Sequence, residues 1–308
     1  MQNVMRILLV GVVLSVSLAA QQPPASPAGT GPNPIVQEAQ KRQNDNQLNE
    51  ALALFEKAIA SDPKAVDAHL GAGRTLDLFG RHADARRHFT HAIELATGDA
   101  RVQPLSAMAV SYAFEGNAAD SAKFYQQVFN QRLAAGNAGA AAGTANALAR
   151  VYLETGDLAN AEKWYRTGYE TSKQIKGISD AERNLWLMRW HNAQGRIAAR
   201  RGNAAEAQRQ AAALNELLAK GQNEDERPQY HYLLGYIALE AGEHDRALAE
   251  LQKANPDDPF VLGLLGRVYE KKGDAANARA SYEKVLAMPA HSLNAAFARR
   301  WARAYLKG

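Results

Sequence analysis

The residues of this chain that could do chemistry are histidines, carboxylates and arginines, and their spacing limits what each group can do. His88 and His91 are three residues apart, so they share one face of a predicted helix, as two metal ligands must. His69 and His82 lie in the same unit. His88 and His91 flank Phe89, however, which we expect to point inward. We therefore predict a solvated outer face for them, and no metal.

Catalytic signatures are missing from the sequence. There is no His-Glu-x-x-His zinc motif, no nucleophile elbow and no phosphate loop that ends in Gly-Lys-Ser/Thr. Gly71-Ala72-Gly73 starts like a dinucleotide loop, but Leu76 stands where a third glycine is needed, so helix packing explains the glycines better. The chain has no cysteine, which excludes disulfides and thiolate chemistry. We predict no enzyme activity and no cofactor.

An alternative function, an all-helical enzyme acting on cell-wall glycans, would need two converging carboxylates about 5–9.5 Å apart. Asp257, Asp258 and residues 224–226 are acidic but fall in predicted loops, where they cap helices or face solvent. Four further carboxylates fall on the predicted inner wall, in separate units: Asp77, Glu154, Glu240 and Glu270. The alternative requires two of these to meet in one closed pocket.

Helical hairpins are the elements that must position these residues. Beyond Pro34 proline is scarce, alanine is abundant and strand-like alternation is missing. Turn glycines recur 31 to 46 residues apart, each between an apolar helix and an alanine-rich helix: Gly80, Gly116, Gly156, Gly202, Gly242 and Gly273. A period in this range predicts stacked helix–turn–helix repeats.

The clearest hairpin spans residues 149–168. Small residues at Ala149, Ala161 and Gly168 and the aromatic Tyr165 surround a turn at Gly156. Small residues let two backbones approach, and the aromatic side chain fills the space between hairpins. The large or apolar second-helix residue of the other units is Phe55, Phe89, Tyr125, Ala211, Leu251 or Tyr282.

This pattern resembles the tetratricopeptide repeat. The resemblance implies an all-α fold, a right-handed α-solenoid of about seven hairpins over residues 35–290, with residues 291–308 as a capping helix. The predicted units are 32–65, 66–99, 102–135, 142–175, 188–221, 228–258 and 259–290. One departure is that the fourth residue of the first helix, often tryptophan in the family, is His69, His191 or His231.

Two segments precede the predicted solenoid. Residues 1–20 combine Arg6, an apolar run over residues 7–16 and small residues at 17–20, which is typical of a cleaved secretory signal peptide. An uncleaved N-terminal anchor is the alternative. Residues 21–34 are rich in proline and glycine and predict a disordered linker. We expect an exported protein, periplasmic or extracellular, with no stable membrane insertion after signal cleavage.

A polar row on the first helices is the candidate binding site. By resemblance to peptide-binding members of the family, these helices line a concave groove in which an extended partner lies. An asparagine amide can pair with a peptide backbone, and an arginine can hold a carboxylate through two parallel hydrogen bonds. The predicted groove residues are Arg74, Asn146, Arg150, Arg189, Asn192, Arg196, Arg200, Tyr232, Tyr236 and Arg267. A solvated inner face without a fixed ligand is the alternative.

Charge bears on the class of partner. The formal net charge is +4 over 308 residues, which is modest for a dedicated nucleic-acid binder. Export and the scarcity of inner aromatic residues near residues 183–209 also argue against nucleic acid. The sequence therefore predicts a noncatalytic scaffold or adaptor of the bacterial cell envelope. Its expected partner is a protein or peptide segment that is acidic or ends in a carboxylate.

Overall fold

The computed structural model describes residues 33–307, and its regular structure in that range is entirely helical. Two short 3₁₀ helices, Gly98–Arg101 and Glu224–Glu226, lie between longer elements. The α-helices are α1 (Pro34–Asn44), α2 (Leu48–Ser61), α3 (Val66–Phe79), α4 (His82–Leu95), α5 (Val102–Phe114), α6 (Ala118–Ala134), α7 (Ala138–Thr155), α8 (Leu158–Ser172), α9 (Asp180–Arg200), α10 (Ala204–Leu218), α11 (Arg227–Glu240), α12 (His244–Leu251), α13 (Pro259–Lys272), α14 (Ala275–Ala287) and α15 (Leu293–Lys307).

Each odd-numbered helix from α1 to α13 pairs with the helix that follows it. Neighbouring hairpins then pack side by side, and α15 follows as a single helix. The predicted all-helical array of hairpins is confirmed. The predicted signal peptide and the linker before residue 33 lie outside the described residues. The first helix starts at Pro34, the last residue of the predicted linker, and Asn33 caps it by accepting a hydrogen bond from the Ile35 N–H at 2.9 Å.

Local sequence explains where the helices end. Gly80, Gly156 and Gly273 each follow a first helix in the left-handed conformation, which glycine adopts at low cost. Asn46 takes the same conformation in the first hairpin, with φ of 58°. Side chains then start the second helices. Asp157, for example, accepts a hydrogen bond from the Asn160 N–H at 3.0 Å.

Close packing accounts for the repeated small and aromatic residues. Phe55 lies against Gly71 and Phe89 against Gly73, so tightly that a Cβ on either glycine would collide with the ring. Both glycines lie inside α3, not in a loop. The Gly71-Ala72-Gly73 run is therefore a packing surface for second-helix aromatic residues and has no phosphate-binding geometry.

The last helix, α15, reaches far beyond the hairpin that precedes it. It packs on α13 and α14 and also on α5, near the beginning of the array. Arg299 donates hydrogen bonds to the carbonyl oxygens of Leu78 at 3.2 Å and Met288 at 2.6 Å, and Arg303 donates to Leu78 at 2.8 Å. The curved array is thus closed by its own C-terminal helix. We call this contact the seam; it comprises Asp77, Leu78, His82, Ser111, His291, Arg299 and Arg303.

Candidate functional site

Four consecutive first helices bring charged side chains together on the inner side of the array. Residues four apart on a helix share a face, so each helix contributes a pair or a single side chain to one surface. We call this group the arginine cluster; it comprises Arg150 and Glu154 from α7, Arg196 and Arg200 from α9, Tyr232 and Tyr236 from α11, and Arg267 from α13.

The two α9 arginines of the cluster bind mainly neutral groups. Arg196 is 6% exposed and donates hydrogen bonds to the hydroxyls of Tyr165 at 2.8 Å and Tyr232 at 3.3 Å. Its Nε has no hydrogen-bond partner among the described residues. Arg200 donates to the Tyr236 hydroxyl at 3.4 Å, and its Nε lies 3.8 Å from a Glu240 carboxylate oxygen. Most of the positive charge here is therefore not matched by a bonded carboxylate.

Aromatic rings cover the other two arginines. The guanidinium carbon of Arg150 lies 4.3 Å from the centre of the Phe260 ring, and that of Arg267 lies 5.0 Å from the Trp301 ring. Such cation–π contacts stabilise a guanidinium without neutralising it. Because Phe260 belongs to α13 and Trp301 to α15, the end of the chain itself occupies part of the inner side.

Glu154 lies among these four arginines, and it makes no ion pair within 4.0 Å in the described part of the chain. It is 9% exposed, and its Oε1 has no hydrogen-bond partner there. Burial raises the pKa of Glu154, and the charges of the surrounding arginines lower it by less. A buried carboxylate thus faces several guanidiniums without contacting any of them.

Of the ten predicted groove residues, the structure brings six together in this cluster: Arg150, Arg196, Arg200, Tyr232, Tyr236 and Arg267. The other four lie elsewhere. Asn146 packs its Oδ1 onto Gly168 of α8, and Asn192 donates to the Gln229 carbonyl oxygen at 3.4 Å. Arg189 covers the Trp186 ring at 4.7 Å. Arg74 lies near Asp67 and His291, close to the seam.

The expectation of an open inner wall is wrong for much of the row. Asn192, Arg196, Tyr232 and Tyr236 are buried, and none of the ten residues is exposed. The physical reason is closure: the superhelical curve returns α13 and α15 toward the first helices, and their aromatic residues fill the space. Partner binding by the row stays a prediction, and it now concerns the half-buried Arg150, Arg200 and Arg267.

The prediction that His88 and His91 form a solvated face is corrected for His88. His69 is buried, and its Nδ1 lies 3.1 Å from Nδ1 of the half-buried His88. Burial, with a smaller contribution from His69, lowers the pKa of His88 to about 4. His91 is exposed as predicted, whereas His82 turns inward to the seam. No three His, Asp or Glu side chains within residues 33–307 converge as a metal site.

The His69 contact is one of three with the same spacing. His191 bonds Gln210 and His231 bonds Glu250, each through Nδ1 at 2.7 Å. In all three hairpins the partner lies 19 residues later, on the second helix. The histidines at the position where the family often has tryptophan therefore join the two helices of a hairpin. The polar residue 19 positions after each histidine is a sequence signal from which this contact could have been predicted.

Asp77 forms the centre of the seam. Its carboxylate is fully buried and accepts hydrogen bonds from His82 Nδ1 at 2.8 Å, His291 Nε2 at 2.8 Å and Ser111 Oγ at 2.9 Å. Burial alone would raise the pKa of Asp77, but the bonds from His291 and His82 outweigh it and lower the pKa. Burial lowers the pKa of His291, so this histidine donates as a neutral ring. Asp77 therefore joins α3 to α4, to α5 and to the segment that precedes α15.

The four predicted inner carboxylates lie in three places. Asp77 belongs to the seam, Glu270 accepts a hydrogen bond from the Tyr282 hydroxyl, and Glu154 and Glu240 are both neighbours of Arg200 in the arginine cluster. None of these contacts joins two of the four carboxylates within the described residues. The geometry therefore gives the glycan-hydrolysis alternative no support.

Family models described as tetratricopeptide repeat match residues 44–109, 142–174, 192–261 and 261–291, which is more than half of the chain. This chain belongs to the tetratricopeptide repeat family. The resemblance inferred from the small, aromatic and turn residues is therefore confirmed. Repeats of this family typically form scaffolds for protein interaction and not catalytic centres.

Similarity to individual proteins is local or limited to the fold. The cellulose synthase operon protein C of Escherichia coli strain K12 is 48% identical over 63 residues, which are 20% of this chain and 5% of that protein. A tetratricopeptide repeat protein from Parabacteroides merdae superposes with a TM-score of 0.53 at 14% identity, over 83% of this chain and 92% of the other. The nearly identical repeats of a Podosopora anserina kinesin light chain give 0.51 at 17% identity, over 61% and 95%.

Within residues 33–307, no helix combines the length and the apolar character that a bilayer crossing requires. The longest helix, α9, has 21 residues, and charged side chains are spread along it.

Proposed function

We propose that this protein is a noncatalytic scaffold of the bacterial cell envelope that binds an acidic or carboxyl-ended protein segment at the arginine cluster. One observation carries the proposal: four guanidiniums surround Glu154, yet most of their contacts are to hydroxyls and aromatic rings. Tetratricopeptide repeats build protein-interaction surfaces, so a protein partner is the natural ligand.

The charge balance explains why the partner would be anionic. Hydroxyl and ring contacts hold a guanidinium in place but leave its charge in full, whereas a carboxylate removes it. Three of the four arginines, Arg150, Arg200 and Arg267, are half-buried, so a partner can reach them without unfolding the array. A partner carboxylate would form charge-assisted hydrogen bonds in surroundings that screen charge less than water does.

The binding proposal is tested with a labelled peptide that contains several Asp and Glu residues and a free C-terminal carboxylate. Arg200→Ala plus Arg267→Ala should weaken its binding by about tenfold or more, because each lost hydrogen bond between charged groups contributes about 1.5–3 kcal/mol. Fluorescence anisotropy in low salt measures the affinity. Arg196 is left unchanged because its burial makes a folding defect the expected result of its removal.

The matched control is Arg246→Ala plus Arg279→Ala, which removes the same charge from exposed second-helix positions. Its peptide affinity should stay close to that of the unaltered protein. Equal affinities for both double variants would show that general positive charge, and not the arginine cluster, attracts the peptide.

The envelope location rests on residues 1–20 and on the similarity to a protein named for a cellulose synthase operon. Expression of the full chain with a C-terminal tag tests it. We expect the mature protein in the periplasmic or extracellular fraction, with an N-terminus near residue 21 by mass spectrometry. An intact chain that stays in the cytoplasmic fraction would contradict the proposed location and leave the arginine cluster untouched.

A further inference from the structure

Three histidines meet in the second hairpin, away from the arginine cluster. His69 belongs to α3, whereas His88 and His91 belong to α4 and are one helical turn apart. The ring centre of His69 lies 5.3 Å from that of His88 and 5.4 Å from that of His91. The buried His69 is therefore a close neighbour of both α4 histidines.

The hydrogen bonds of His69 fix which of its ring nitrogens carries the proton. Its Nε2 lies 3.1 Å from the carbonyl oxygen of Pro63, which only accepts hydrogen bonds, so Nε2 carries the proton. In a neutral imidazole the other nitrogen, Nδ1, then has a free lone pair. A backbone carbonyl that accepts from one ring nitrogen is a common outer support of a histidine that binds metal through the other.

The lone pair of His69 faces a second imidazole at the distance that a shared metal ion requires. Nδ1 of His69 and Nδ1 of His88 are 3.1 Å apart. Zinc–nitrogen bonds of about 2.0–2.1 Å, at angles between about 90° and 109°, put two ligand nitrogens about 2.8–3.4 Å apart. A neutral histidine carries its proton on either nitrogen, so His88 can move its proton to Nε2 and offer Nδ1 to a metal ion as well.

His91 is placed to supply the third nitrogen. In the structure its Nδ1 lies 3.5 Å from a carboxylate oxygen of Glu94, and three ligand nitrogens do not yet converge in the described part of the chain. The His91 side chain is exposed, so a change of rotamer disturbs no buried packing. A Glu94 carboxylate that keeps its contact with Nδ1 would leave Nε2 free to bind the metal, and such a carboxylate raises the affinity of the imidazole.

The charged side chain between the α4 histidines and the start of that helix is already paired. Arg87, whose charge would repel a metal ion, contacts the carboxylate of Asp84 at 2.5 Å. Asp84 lies four residues before His88, and Glu94 lies three residues after His91. Carboxylates on both sides of the α4 histidines therefore favour a cation at this site.

We propose that His69, His88 and His91 bind one Zn²⁺ ion, which cross-links α3 to α4. Imidazole nitrogens suit Zn²⁺, whereas Mg²⁺ prefers oxygen ligands. Three histidines leave the fourth position of a tetrahedral ion to water. The sequence analysis expected no metal because it placed His88 and His91 on a solvated face, and the contact with His69 changes that expectation. The site shares no residue with the arginine cluster, so neither proposal depends on the other.

The test titrates the protein, without a polyhistidine tag, with Zn²⁺ in a calorimeter, and Mg²⁺ serves as the control ion. We expect saturable binding of one Zn²⁺ per chain and no binding of Mg²⁺. His88→Gln should weaken the affinity at least about tenfold, because loss of a ligand costs no less than loss of an outer partner. The glutamine amide can still donate to Nδ1 of His69, so the hairpin should keep its fold.

His244→Gln is the matched control, because His244 is also half-buried but lies on α12. Its Zn²⁺ affinity should equal that of the unaltered protein. Equal affinities of the His88 and His244 variants would overturn the proposal, as would the lack of saturable binding. Glu94→Gln should keep the stoichiometry and weaken the affinity about tenfold. An unchanged affinity in that variant would remove Glu94, and with it the placement of His91, from the proposed site.

NMR of the histidine ring nitrogens locates the bound ion independently of the variants. One equivalent of Zn²⁺ should shift the Nδ1 signals of His69 and His88 and the Nε2 signal of His91. The signals of His191 and His231 should stay unchanged, although these residues also join the two helices of a hairpin. Zinc that leaves Nδ1 of His69 and His88 unaffected binds elsewhere, and the proposal then fails.

Discussion

Two buried carboxylates of this protein differ in their hydrogen bonds and in the direction of their pKa shifts. Asp77 in the seam accepts three hydrogen bonds, and its pKa is lowered in spite of burial. Glu154 in the arginine cluster has charged neighbours of opposite sign but no contact with them, and its pKa is raised. Proximity to positive charge is therefore not enough: hydrogen bonds decide whether a buried carboxylate stabilises the fold.

The comparison separates a structural site from a candidate binding site. At Asp77 the carboxylate is already occupied: His291 ties the start of α15 to it, and His82 and Ser111 join it to α4 and α5. Around Glu154 the guanidiniums keep their charge, and the carboxylate keeps an unsatisfied oxygen. A group that is buried and unsatisfied costs stability, and such costs are retained where a ligand supplies the missing contact. We therefore infer that Glu154 belongs to a binding site, whereas Asp77 stabilises the fold.

The largest effect is expected at the seam. Asp77→Ala should lower the free energy of unfolding by about 3–5 kcal/mol, because it strands three hydrogen-bond donors in a buried place. Urea denaturation followed by circular dichroism measures the loss. Glu94→Ala, which removes an exposed carboxylate from the neighbouring helix α4, should leave the midpoint nearly unchanged. Similar midpoints for both variants would mean that the seam contributes little stability.

A smaller loss is expected at Arg299, whose guanidinium joins the C-terminal ends of α3 and α14. Arg299→Met keeps much of the side-chain volume but removes three hydrogen bonds, which should cost about 2 kcal/mol. Hydrogen–deuterium exchange should then become faster in α15 and at the end of α3 before it does in α9. Exchange that accelerates uniformly along the chain would show that the contacts of Arg299 do not stabilise the seam locally.

The two regions should respond to pH with opposite sign. The pKa of His291 is lowered, so the unfolded state takes up its proton first and stability is lost as the pH falls below about 6.5. The pKa of Glu154 is raised, so the folded state takes up its proton first and stability is gained as the pH falls toward 4.5. The lowered pKa of Asp77 adds a further loss only below about 3.8.

Variants test these signs one by one, through unfolding free energies measured between pH 4.5 and 7.5. His291→Gln should reduce the loss of stability on acidification, because the glutamine amide does not titrate. Glu154→Gln should make that loss steeper. If both variants change the slope in the same direction, the contrast between the regions is wrong.

The smallest effect on stability is expected from Glu154→Gln at neutral pH. Because the carboxylate makes no ion pair within 4.0 Å, its replacement should change the free energy of unfolding by less than about 1 kcal/mol. Removal of its negative charge should at the same time strengthen binding of the acidic peptide. Binding that weakens would indicate that Glu154 orients the arginines for the partner. The matched control is Glu216→Gln, which removes the charge of an exposed carboxylate on α10 and should leave both quantities unchanged.

The fold could be predicted from the sequence because the residues that define each hairpin are close to one another along the chain. Turn glycines such as Gly156 and small residues such as Gly73 act within one hairpin or between neighbours, so their spacing reveals the hairpins and their number. Arg150 on α7 and the pair Arg196 and Arg200 on α9 were found for the same reason. Helical spacing placed them on one face, and that face does point inward.

The seam could not be predicted in this way. Whether α15 meets α3 depends on the total curvature of seven hairpins. No local sequence pattern gives that total. His291 and Asp77 are separated by 214 residues, and the sequence around neither residue contains a pattern that indicates their contact. The burial of the predicted groove residues follows from the same closure. The residues could therefore be predicted from the sequence, but their burial could not.

Closure by α15 also fixes how many repeats this protein can have. An open array tolerates the duplication or loss of a hairpin, because each unit touches only its neighbours. Here an added unit would carry Arg299 and His291 past the second hairpin, and a missing unit would leave them short of it. Change in this lineage should therefore proceed by substitution within hairpins, with the repeat number held constant.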